Sequence, residues 1–113
     1  MSKYRLLVAA VSLLLLHSAG HCSATFWTGT RLIQVLEADM RGEASYNVGL
    51  ATGYILGVSD SMSGVLICIE EEVSVKQVKQ VVFNYMKSRP EHWNRSADYS
   101  VVNALREIWP CKK

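Results

Sequence analysis

Once an export-type leader is removed, this chain keeps two cysteines, Cys68 and Cys111, and that pair constrains its fold more than any other feature. Lys3 and Arg5 precede an apolar run, Leu6 to Leu16, interrupted only by Ser12. Such a run falls short of the roughly 20 residues needed to span a bilayer but suits a signal peptide. Residues 1–24 are read as that leader, cut after Ala24 with Cys22 three positions back, and a cut after Gly20 is the alternative. His21 directly before Cys22 argues against a lipoprotein. Residues 25–113 then form a single domain of about 89 residues, close to the size at which a covalent staple becomes useful. Cys68 and Cys111 lie 43 residues apart. A bridge closing that loop would stabilise the fold by about 4 kcal/mol in the chain-entropy account. The alternative is two buried thiols, and an oxidising compartment favours the bridge.

Charge narrows the function classes. The precursor's 12 Lys and Arg against 10 Asp and Glu lose Lys3 and Arg5 with the leader, so the mature chain is formally neutral. Sequence-independent nucleic-acid binding needs clustered cations to neutralise phosphates, and a neutral domain is a poor candidate for it.

The periodicity predicts an all-α fold, a compact bundle of four main helices with one disulfide. Thr28 or Thr30 can cap a first helix that places Leu32, Ile33, Leu36 and Met40 on one side and stops at Arg41-Gly42. The second runs from about Glu43 to Ser63 and ends in Gly64. Ser74 and Gln77 form a capping box for the third, which carries Val75, Val78, Val81, Val82, Tyr85 and Met86 on a broad apolar face and must end before Pro90. Ser96 can cap the fourth, with Asp98 near its positive end and Ala97, Val101, Ala104, Leu105, Ile108 and Trp109 as its buried stripe.

On the second helix Gly49, Gly53 and Gly57 recur every four residues and Ser61 continues the row. Each glycine costs about 1 kcal/mol relative to alanine in a helix interior, so another backbone packed tightly on this flank is expected. A small-xxx-small membrane contact is the competing explanation, but Asp60 among Ser59, Ser61 and Ser63 makes that segment expensive in lipid. Asp60, near the helix end, is expected to hydrogen-bond a neighbouring helix N-terminus or an Arg, the alternative being a ligand-binding or catalytic carboxylate.

The run Gly53-Tyr54-Ile55-Leu56-Gly57-Val58-Ser59-Asp60, then Cys68, Gln77, Val81-Val82, Tyr85, Pro90, Leu105 and the closing Trp109-Pro110-Cys111, resembles the Rap/Tai immunity family. The match extends from about Ala44 to Cys111. Many such sequences carry a further cysteine pair in the N-terminal half; Leu32 to Thr52 contains none, so one bridge transfers. The resemblance implies a small helical protein of the periplasm, often a homodimer, that protects against type VI secretion amidases cutting peptidoglycan stems. It implies inhibition by occlusion, with no catalytic residue, cofactor or metal, and no stable membrane insertion after leader removal. His92 is the one histidine left in the mature chain, and no metal-ligand, Gly-x-Ser-x-Gly or phosphate-loop pattern occurs.

Three groups are candidate partner contacts. Phe83 projects about 60° outside the apolar face of the third helix, beside Lys76, Lys79 and Lys87, either as an interface anchor or folded over the edge of the core. Glu70, Glu71 and Glu72 follow Cys68, where a bridge would hold them in place, either as an acidic loop entering a cleft or as solvated charge at a turn. His92 and Trp93 lie in the turn after Pro90, with Trp93 either a core lid or a hot spot. Asn94-Arg95-Ser96 matches a glycosylation sequon, relevant only in a eukaryotic secretory pathway.

Other functions ask for more than these residues supply. An enzyme would have to join Ser59, Ser61 or Ser63 to His92 and Asp60 across a helix and a distant turn. An acid-activated periplasmic chaperone switches by titrating many carboxylates or histidines, and a balanced chain with one histidine lacks an obvious trigger. A structural envelope protein is the remaining class.

Overall fold

A computed structural model describes residues 25–113. The leader, its cut site and Cys22 lie outside the described residues. Four helices follow in order, α1 (Gly29–Met40), α2 (Tyr46–Met62), α3 (Val75–Lys87) and α4 (Ala97–Ile108), with one 3-10 turn, Pro90–His92, between the last two. Among the described residues the only β-type pairings are isolated bridges.

Local chemistry sets the helix limits. The Thr28 hydroxyl accepts from Arg31 N at 3.2 Å and starts α1, and Gly42, at φ +84°, supplies the left-handed residue that turns the chain after it. Ser45 accepts from Val48 N, so α2 begins at Tyr46 instead of Glu43. The Ser74–Gln77 capping box is present in both directions, at 2.8 Å and 3.2 Å. Ser88 closes α3 by donating its N–H to Asn84 O, and Pro90 opens the 3-10 turn, where its missing N–H costs nothing. Ser96 differs from expectation, because its hydroxyl makes no cap bond. The α4 N-terminus is instead secured by the segment entering α1: Ala97 donates to Trp27 O at 2.9 Å and Ser96 bridges Thr28.

Each helix contributes one stripe to a shared core. Leu32, Ile33 and Leu36 come from α1, Ala51 and Ile55 from α2, Val78, Val82 and Met86 from α3, and Ala97, Val101, Ala104 and Leu105 from α4. A fully buried aliphatic side chain of this kind contributes about 1.5–3 kcal/mol. The stripe of α4 is shorter than its periodicity predicts. Ile108 is 53% exposed, because Trp109 leaves helical geometry and carries the chain across to Ile67 and Cys68.

The glycine row of α2 is a second departure. Gly49, Gly53 and Gly57 are exposed, and a Cβ added at any of them meets nothing within 4 Å. The row that α2 buries is Ala51, Ile55 and Ser59, two positions further on and about 200° around the helix. The close backbone approach occurs instead at Gly29. A Cβ there would lie 2.8 Å from Trp93 O, the oxygen that accepts from Thr30 N at 2.7 Å and from its hydroxyl at 3.0 Å. α3 and α4 pack most extensively, whereas α2 leans on α4 and α1 and meets α3 least.

Candidate partner-binding surface

Because α2 and α3 barely meet, a groove of about 230 Å³ opens between them. Leu56, Ser59 and Asp60 of α2, Ile69 and Val73 of the connecting loop, and Val75 of α3 line it, above the buried Ile67 and Val78. Its base is fixed covalently. Cys68 and Cys111 form a disulfide with Cα atoms 4.9 Å apart, Cys68 donates its N–H to Trp109 O at 2.9 Å, and Ile67 bridges both Ser63 and Pro110. The chain therefore enters Ile69 from a clamped position, turns through a Val73 N–H to Glu70 O bond at 3.1 Å, and starts α3 at the capping box.

Glu70, Glu71 and Glu72 occupy that turn, all exposed, between the two loop residues that line the groove. Asp60 adds a fourth carboxylate. It is exposed and, among the described residues, makes neither the ion pair nor the helix-terminus hydrogen bond that its position predicts. The reason is geometric: Asp60 sits one position past the buried Ser59, on the solvent side, where water satisfies it.

The lysines of α3 are arranged differently. Lys79 Nζ lies 2.7 Å from Asp39 Oδ2 and Lys87 Nζ lies 3.0 Å from Glu37 Oε1, so both reach across to α1. Phe83, between them in the helical row, is half-buried against the core, while Lys76 is exposed at the start of the helix. Trp93 is half-buried, donates its Nε1–H to Met86 O at 2.7 Å and holds the α1 N-terminus through its carbonyl. His92 packs edge-on to Tyr99 at 5.3 Å between ring centroids. The structure thus places Glu70 to Glu72 on the loop bordering a groove that Asp60 lines, and keeps Phe83, Lys79, Lys87, His92 and Trp93 on the α1–α3–α4 side.

Ser59 lies on the groove floor and Ser61 donates to Val58 O at 2.8 Å, whereas His92 stands against α4, so the serines and the histidine belong to different sites. A hollow of about 240 Å³ between α3 and α4 carries its own ion pair, with Arg89 4.0 Å over the Tyr85 ring and 3.3 Å from Glu107. Burial pushes the Tyr85 phenol above its ordinary pKa, and Arg89 opposes that. Tyr54, stacked on Trp27 at 5.7 Å, is raised mainly by burial and further by the nearby Asp98 charge.

The groove itself was not anticipated from sequence, although Ile69 and Val73 bracketing three glutamates were the available sign of an apolar cleft with an acidic rim. Among the described residues no cluster of His, Cys, Asp and Glu suits a metal ion, and no helix is long and apolar enough to cross a membrane. A search of curated proteins gave no match. The family model for Rap1a immunity proteins matches residues 19–111, which takes in all four helices and both bridged cysteines. This chain therefore belongs to the Rap1a immunity protein family.

Proposed function

We propose that the mature chain is a periplasmic immunity protein that binds a peptidoglycan amidase delivered by type VI secretion and blocks its cleft. The observation that carries this reading is the family match across the whole helical domain; an immunity protein works by binding a cognate effector. The surface chemistry supports it. A rigid, disulfide-clamped domain presents apolar and charged groups without internal partners, which suits binding by shape and charge and asks for no bond making. An export-type leader and a bridged cysteine pair fit the oxidising periplasm.

A homodimer belongs to the same proposal. The outer side of α2, with Tyr46, Gly49, Leu50, Gly53 and Gly57 exposed, carries no charged residue before Asp60, so a second copy would cover it with little desolvation of charge. Sedimentation at micromolar concentration should then give twice the chain mass.

The direct test is enzymatic. The neighbouring reading frame is expected to encode a small Cys-His amidase, and purified mature chain added to that enzyme should abolish release of stem peptides from peptidoglycan at a 1:1 ratio. Undiminished cleavage at tenfold excess, or turnover of any substrate by this chain itself, would reject the proposal.

A further inference from the structure

Of the ten carboxylates among the described residues, Glu37, Asp39, Glu43 and Glu107 each lie within 3.3 Å of a Lys or Arg nitrogen. The other six make no ion pair: Glu91 stands in the Pro90–His92 turn and Asp98 in the first turn of α4, near Tyr54, whereas Asp60 lines the α2–α3 groove and Glu70, Glu71 and Glu72 fall between its lining residues Ile69 and Val73. The groove's apolar lining comes from Leu56, Ile69 and Val73, half-buried, and Val75, 44% exposed, with Ser59, Asp60 and Ser63 as its polar part. Other acidic groups are answered from within the chain, Glu107 by Arg89 at the α3–α4 hollow and Asp39 by Lys79. Here the fold leaves Asp60 in the groove lining and three exposed glutamates on the loop that borders it, none of them in an ion pair. Such an arrangement costs free energy in the isolated domain and is relieved by a cation-bearing partner.

We propose that the α2–α3 groove is the docking site for a segment of the partner protein that inserts an aliphatic side chain flanked by Lys or Arg. The aliphatic group would fill the space between Leu56, Ile69, Val73 and Val75, and the flanking cations would meet Glu70 to Glu72 on one rim and Asp60 on the other. The disulfide serves the site by fixing the loop before binding, so little ordering entropy is lost on association. This assignment rests on the binding function proposed above and names the surface that performs it.

Two measurements separate the surface from the function. In the first, the 15N-labelled mature chain is titrated with the peptide acetyl-Lys-Leu-Arg-Ile-Lys-amide and, as control, acetyl-Glu-Leu-Glu-Ile-Glu-amide. Saturable amide shifts centred on Ile69, Val73, Val75 and Val78 with the cationic peptide alone are expected. Equal shifts with both peptides, shifts centred elsewhere, or no shifts would overturn the site. In the second, the inactivated amidase is bound to the wild-type chain and to the exposed-loop variant Glu70→Lys/Glu71→Lys/Glu72→Lys, with circular dichroism verifying the fold. Affinity should fall by at least about thirtyfold, mostly in the association rate at low salt. Val75→Ser, a conservative change at the first position of α3, should raise the dissociation rate several-fold. Unchanged affinity in both variants would reject the groove while leaving the immunity function standing, and absence of wild-type binding would reject the function while the peptide titration still judges the groove. Growth of open-ended oligomers that the loop variant abolishes would mean that the groove takes the cationic end of a second copy, with Val65, Leu66, Lys112 and Lys113, and would overturn the partner assignment.

Discussion

The seam where Trp27, Gly29, Trp93 and Ala97 meet and the groove between α2 and α3 are built on opposite rules. At the seam four donors are answered: Gly29 N reaches Arg95 O at 2.8 Å, Thr30 N reaches Trp93 O, Ala97 N reaches Trp27 O, and the Trp93 indole reaches Met86 O. At the groove Asp60 and the bordering Glu70, Glu71 and Glu72 make no ion pair, and Val75 stays 44% exposed. The difference separates residues that hold the fold from residues free to hold something else. Trp93, a residue type common in interface hot spots, belongs to the first class here, and Glu70 to Glu72 belong to the second.

Breaking the structural half should be costly. Cys68→Ser/Cys111→Ser is predicted to lower unfolding free energy by about 4 kcal/mol, the entropy of a loop of this length. Chemical denaturation of oxidised wild type against the double variant measures it. The same change frees the base of the acidic loop, so partner affinity should fall as well. Gly29→Ala is next. Its Cβ would press on Trp93 O at 2.8 Å, backbone that cannot rotate aside, and a loss of about 2–3 kcal/mol is expected from such overpacking. Thermal melts should show it, with exchange protection lost first at Thr30 and Ala97.

The outer face of α2 sharpens the contrast by predicting the opposite sign. In the single chain Gly53→Ala meets nothing within 4 Å and, at concentrations too low for the proposed dimer, should stabilise it by about 1 kcal/mol through helix propensity alone. A destabilising result would mean that this face is already covered, as in a dimer. The smallest effect concerns alkaline pH. The Tyr54 phenol holds its proton more tightly folded than unfolded, so its contribution is intact below the unfolded pKa and fades as pH rises through the higher folded value. Melting temperature should therefore drop less steeply above about pH 10 in Tyr54→Phe than in wild type.

Much of this architecture was legible before any coordinates. The capping box at Ser74 and Gln77, the stop before Pro90 and the core stripes of α1 and α3 follow from local spacing, which local physics controls, while the Cys68–Cys111 pairing follows from cysteine count, these being the two outside the leader-like segment. What could not be read was which side of α2 faces inward. Its apolar residues run nearly all the way round, so periodicity gives no direction, and the every-fourth glycines drew attention to the flank that is in fact exposed. The expected partner for Asp60 failed for the same reason, since one position along a helix turns a carboxylate from core to solvent. Gly29 was missed because its constraint comes from Trp93, 64 positions along the chain by residue number, and no local pattern records a backbone approach of that kind.

Hydrogen exchange on the chain alone and saturated with the inactivated amidase tests the division most directly. Added protection should fall on the segment from Leu56 to Val78, including the turn at Glu70 to Glu72, while Thr30, Trp93 and Ala97 keep the protection they have in the free protein. Protection appearing at the Trp93 turn with the α2–α3 groove unchanged would contradict the account.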